Sequence, residues 1–146
     1  MIRDGKVQLL IQDQPRPNGL AFSPDEKFLY VCDTDDRDKK IIHRYEVQRD
    51  GTLANRSLFS DYGGDKGQGF PDEMKVDERG NVYGGGPGGI WIFSPAGRHL
   101  GTILTPEAAI NMAFGDADGK ALYVTAGTSL YRIRLKIAGI RPVVAK

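Results

Sequence analysis

Asn18 and Asp72 stand at the same place in two copies of one pattern, each just ahead of a short apolar run. The first copy reads Asn18-Gly-Leu-Ala-Phe and the second Asp72-Glu-Met-Lys-Val. A third copy, Ile110-Asn-Met-Ala-Phe, carries Ile110 at that register with Asn111 beside it. An amide oxygen and a carboxylate brought together by neighbouring elements suit a hard divalent cation, which prefers oxygen ligands. Asn and Asp also cap turns, and that plainer role stays open for both. Glu73 adds a further carboxylate, but in a strand it points to the face opposite Asp72.

Other chemistries lack their residues. His43 and His99 are the only histidines, far apart on predicted outer strands, whereas a zinc site needs His or Cys at short spacing. Cys32 is the single cysteine, so no internal disulfide forms, and its place in an apolar run reads as a small buried thiol. No serine stands in a Gly-x-Ser-x-Gly elbow. The glycine run from Gly84 to Gly89 has neither the helix nor the Lys-Ser or Lys-Thr that closes a phosphate loop.

Each copy must be held by a hairpin. The first apolar run leads into Ser23-Pro24-Asp25-Glu26-Lys27 and then Phe28-Leu-Tyr-Val. The second turns at Asp77-Glu78-Arg79-Gly80 into Asn81-Val-Tyr-Gly, and the third turns through Gly115 to Lys120 into Ala121-Leu-Tyr-Val. Apolar runs punctuated by acidic and glycine turns are the hairpin signal. More strand-like material follows each hairpin: Ile42 to Val47 and Arg56 to Phe59, Gly89 to Phe93 and His99 to Ile103, then Ser129 to Leu135. The spacing therefore predicts an all-β chain built from four-stranded meanders of roughly 40 to 55 residues, the length of a β-propeller blade. Helical patterning is nearly absent; Pro106 to Ala109 has room for one turn. The glycine run then reads as a loop between blade strands near the channel mouth, and Trp91 and Phe93 read as core.

The first strand of a blade is the innermost, so Asn18 and Asp72 are predicted to face a shared central channel. Asp4 to Ile11 reads as the outer strand of a blade whose beginning is missing. Two full blades follow, then a third without a clear fourth strand. About three blades make half a ring, whereas closed propellers use about four to eight. Residues 1–146 thus read as one partial propeller domain with exposed edges. Either it belongs to a longer protein, or a homodimer closes the ring and brings Asn18 and Asp72 twice.

Composition bounds the partners. The net charge is +1, with 20 Lys and Arg against 19 Asp and Glu, so neither nucleic acid nor an anionic membrane is expected as the main partner. Arg132, Arg134 and Lys136 alternate with Tyr131, Ile133 and Leu135, the period of a strand with one solvated face. No apolar stretch is long enough for a transmembrane helix and none opens the chain as a leader, so the default expectation is cytoplasmic, with a leader ahead of a truncated start as the exception.

Three segments, "RPNGLAFSPDEKFLYVCDT", "FPDEMKVDERGNVYGGGPGGIWIFSPAG" and "INMAFGDADGKALYVTAGTSLYRIRL", resemble the carboxy-terminal half of the SMP-30/gluconolactonase/LRE-like family, with bacterial gluconolactonases nearest. The Pro-Asn-Gly and Phe-Pro-Asp corners and the Gly-Pro-Gly-Gly-Ile-Trp segment occur in the family's order. The resemblance implies a six-bladed propeller with one divalent metal in its channel and hydrolysis of a sugar lactone, a small-molecule substrate. It implies Asn18 and Asp72 as metal ligands, with Asp72 also the general base. Ca2+ is the first expectation for the metal, with Zn2+ or Mg2+ as alternatives. The family's amino-terminal glutamate and an asparagine from an early blade have no counterpart here. Many members carry glycine where this chain has Glu73. A rival expectation is a non-catalytic half-propeller that serves in binding or assembly, or an inactive fragment.

Overall fold

The computed structural model describes residues 5, 7–35, 40–63 and 69–141; the start of the predicted opening strand, residues 4 and 6, lies outside them. The first sheet contains β1 (Pro17–Phe22), β2 (Phe28–Asp33), β3 (Ile41–Val47) and β4 (Leu53–Asp61). The second contains β5 (Met74–Val76), β6 (Val82–Gly86), β7 (Gly89–Phe93) and β8 (His99–Leu104). β9 (Ala109–Gly115), β10 (Ala121–Ala126) and β11 (Ser129–Arg134) form the third. Each sheet is an antiparallel meander in chain order, and the third has three strands among the described residues. The inner strands neighbour one another, β1 against β5 and β5 against β9, as blades around an axis require.

Burial on both faces explains why Phe28–Asp33 reads as a continuous apolar run. Tyr30 and Cys32 face the second sheet in a core with Ile42, Phe59, Tyr62, Met74 and Phe93. Leu29 and Val31 face the other way, with Tyr45. Between the first two sheets the rings of Tyr30 and Phe59 lie 4.6 Å apart, and Tyr62 meets Phe93 edge-on at 5.3 Å. Such pairs contribute about 0.5–1.5 kcal/mol each beyond the area they bury. A second core of Tyr83, Ile90, Met112, Leu122 and Val124 joins the second and third sheets.

The turn at Asp77 is anchored from within. Its carboxylate is fully buried and accepts bonds from the backbone N–H of Arg79 and Asn81, the Asn81 amide and the Tyr83 hydroxyl. A buried carboxylate is tolerable only with such partners. The segment after β11 then returns along this turn, with Ile140 N–H bonded to the Val76 carbonyl at 3.1 Å.

Three expectations are corrected. Residues 7–11, the described part of the predicted opening strand apart from Gly5, form no strand. Residues 11–14 lie over the outward face of the first sheet instead: Ile11 packs on Leu29, Val31 and Tyr45, Gln14 donates to the Tyr45 hydroxyl, and Arg56 pairs with Asp13. The glycine run is not a loop. Gly84 to Gly86 lie in β6, and only Pro87 and Gly88 turn. The reason is Tyr62, whose hydroxyl would sit 2.4 Å from a Cβ at Gly84. Finally, Pro106 to Ala109 holds no helical turn; Ala109 opens β9. Phe93 is buried as expected, while Trp91 is half-buried, stacked on His99 at 4.0 Å and donating its indole N–H to the Pro87 carbonyl.

Candidate functional site

β1 begins with an irregularity. Pro17 pairs with Asp33 and Leu20 with Val31, so β1 has one more residue than β2 across Asn18 and Gly19. A bulge of this kind bends the strand and re-aims a side chain. Two further contacts fix the corner: Arg16 N–H bonds to the Asp33 carboxylate at 3.2 Å, and Thr34 N–H to the Arg16 carbonyl at 3.0 Å.

Asp72 reaches the same place from the second sheet, two residues ahead of β5. Its backbone lies directly against Gly19, where an added Cβ would sit 2.0 Å from the Asp72 carbonyl oxygen. The glycine of the Pro-Asn-Gly corner is therefore a requirement of close approach. Cys32 holds the same stretch from below, its Sγ 3.2 Å from the carbonyl oxygens of both Pro71 and Asp72. Burial pushes the Cys32 thiol up to about 12, so it serves as a neutral donor.

The two predicted site residues meet. Asn18 Nδ2 donates to Asp72 Oδ1 at 2.7 Å, across 54 residues of chain and between two blades. Both line a pocket of about 430 Å³ together with Arg16, Pro17, Thr34 and Phe70. Asn18 is exposed and Asp72 half-buried, so the carboxylate is open to a ligand. The third blade adds nothing to this lining: Ile110 and Asn111 are both exposed elsewhere. Arg16, Thr34 and Phe70 were not singled out by the repeat register; their only signal was adjacency to the two corners.

A divalent cation can be tested against this donor set. Carboxylate and amide oxygens are the right kind for Ca2+ or Mg2+, and turning the Asn18 amide over would present its oxygen beside Asp72. Two side chains nevertheless make only part of a shell of six to eight oxygens. Among the described residues no group of three or more His, Cys, Asp or Glu is placed to hold a metal. Glu73 does not extend the set: it lies just outside β5, pairs with Lys75 and is not in the pocket lining. His43 and His99 are likewise outside it. The residues thus fit a hard cation in kind and supply part of its cage.

Known proteins agree with this architecture. A gluconolactonase from Zymomonas mobilis is 37% identical over 142 residues, covering 93% of this chain and 39% of that protein. A solved gluconolactonase from Xanthomonas campestris is 36% identical with a TM-score of 0.73, covering 86% of this chain and 39% of the other. A regucalcin from Agrobacterium tumefaciens, described as a calcium-binding protein, shares the fold with a TM-score of 0.80 at 23% identity, across 95% and 52% of the two chains. The chain spans 33–42% of the length of the curated lactonases it matches. The family model for the SMP-30/Gluconolactonase/LRE-like region matches residues 1–128, and the chain belongs to that family.

Proposed function

We propose that this chain carries part of the active site of a sugar-lactone hydrolase, with Asn18 and Asp72 as ligands of one divalent cation and Asp72 as general base. The observation that carries the reading is the 2.7 Å contact between Asn18 and Asp72 at a solvent-open pocket. Relatives that cover nearly the whole chain and are named as lactonases support it. Ca2+ is the cation the oxygen donors favour, and its remaining ligands come from outside these three blades.

The bound cation supplies polarisation of the lactone carbonyl and acidification of a nearby water. Asp72 takes a proton from the attacking water as the water oxygen bonds to the carbonyl carbon. The ring C–O bond then breaks, and the proton passes to the departing ring oxygen, leaving a hydroxy acid. Asn18 holds Oδ1 of Asp72 through its amide N–H in the structure; with the amide turned to offer its oxygen to the cation, Asp72 would give one carboxylate oxygen to the ion and keep the other for the proton. Half-burial of Asp72 limits competition from bulk water without closing the pocket.

The test is Asp72→Asn, which keeps the shape and removes the charge. With D-glucono-1,5-lactone and Ca2+, acid release followed by pH-stat falls by about 10² or more relative to the unaltered chain, the range of a lost general base. Ca2+ binding measured by calorimetry weakens in parallel. A variant that hydrolyses the lactone as fast as the parent overturns the role of Asp72. A parent chain that neither binds Ca2+ nor hydrolyses the lactone in the assembly that supplies the remaining ligands overturns the reading as a whole.

A further inference from the structure

Among the described residues, Phe70 supplies the one aromatic ring in the lining of the Asn18–Asp72 pocket, two residues ahead of Asp72. It is 54% exposed, whereas Pro71 beside it is buried. An aromatic ring left in water forgoes much of its burial energy, which calls for a reason. Phe70 is also held in place. Gly69 adopts φ +121°, and a Cβ there would lie 2.4 Å from the Gly86 carbonyl oxygen, so the backbone before Phe70 rests directly on β6. Lys40 Nζ donates to the Gly69 carbonyl at 3.0 Å and sits over the Phe70 ring, 4.8 Å from its centroid. Lys40 is not part of the pocket lining. The ring is therefore braced by a cation that lies outside the lining, and it borders the pocket itself.

We propose that Phe70 is a stacking platform for the ligand: the C–H face of a cyclic lactone lies on the ring while its carbonyl carbon approaches Asp72. The inference rests on the lactonase reading for the identity of the ligand and on the exposed, braced ring for the mode of recognition. Sugar rings present C–H groups of slight positive charge, which match the negative face of an aromatic ring. Apolar walls with a few placed polar groups are the usual make-up of small-molecule sites. Phe70 is then a specificity residue, favouring six-membered lactones with one unsubstituted face over open-chain esters of the same acids.

The probe is D-glucono-δ-lactam, a cyclic analogue that does not hydrolyse on the timescale of the measurement. Saturation-transfer NMR in the presence of Ca2+ is recorded for the parent chain, Phe70→Ala, Phe70→Leu and Phe70→Tyr, each checked for folding by circular dichroism. Transfer to the lactam C–H protons is expected in the parent and the Tyr variant. Affinity is expected to weaken about 3- to 10-fold in Phe70→Ala, the range of an aromatic stacking contact, with Phe70→Leu between. Equal affinity of the parent, Ala and Leu chains overturns the platform and leaves the Asp72 site standing. Absence of lactam binding by the parent in the assembly that supplies the remaining ligands overturns both.

Discussion

The close approach of the first two blades at Gly19 gives a sharp test of the site. Gly19→Ala places a methyl 2.0 Å from the Asp72 carbonyl oxygen and 2.9 Å from the Glu73 Cα, both backbone atoms that cannot swing aside. Gly19 is not in the left-handed region, so alanine suits its dihedral angles and the effect is purely steric. Ordinary contact begins at 3.4 Å, so β1 must withdraw from Asp72 by more than about 1 Å. The Asn18–Asp72 bond, 2.7 Å in the parent, then passes out of hydrogen-bonding reach. Overpacking of this kind costs about 1–3 kcal/mol, a fall in Tm of about 3–15 °C for a chain of this size. Calorimetric melting measures the first effect, and Ca2+ titration of the folded variant at low temperature measures the second, with weaker binding expected. A Gly19→Ala chain with parental Tm and parental ion affinity would show that the two blades do not meet as described.

Two further outcomes follow from the charge environment. Cys32 is fully buried and its thiol is raised to about 12, so iodoacetamide at pH 8 should leave it unmodified in the folded chain and alkylate it in urea, as read by intact mass; rapid labelling under native conditions would contradict the packing. Hydrogen bonding from Arg134 holds Asp118 down at about 2, so the pair's contribution to stability is fully present above the unfolded value of 3.8 and is lost as pH falls through about 2. Arg134→Gln should move the Asp118 titration, followed by NMR, up toward 3.8, and any difference in Tm from the parent should vanish near pH 2; an unmoved Asp118 midpoint would remove Arg134 as the cause.

The hairpins were legible because they are local. Alternating apolar residues and turn formers such as Asp25 and Gly80 specify a strand, a corner and a return within a few residues. The pairing of Asn18 with Asp72 was legible through repetition: equal register in successive blades puts equal positions side by side. What escaped notice depends on partners remote in sequence. Residues 7–11 have strand-forming composition, yet a strand exists only where a neighbour completes its ladder, and the chain just beyond is held at Asp13 by the side chains of Tyr45 and Arg56. The glycines of β6 look like a loop until Tyr62, arriving from the first sheet, accounts for the missing side chains. Phe70 escaped because an exposed aromatic residue has no pattern of its own; only the pocket around it gives it meaning.

The outward face of the third sheet has a consequence for anything that settles on it. Tyr123 and Arg132 stand opposite each other across β10 and β11, Arg132 and Arg134 reach Asp116 and Asp118, and the Tyr123 hydroxyl bonds to Asp116. This face has already satisfied its charges internally, unlike the dry, aromatic junction between the first two sheets. A neighbouring blade resting here must either strip water from two arginine–aspartate pairs, at considerable cost, or leave the join hydrated. A seam made on this face would therefore be wet and ionic, weakened by salt and acid more than the aromatic junction between the first two sheets.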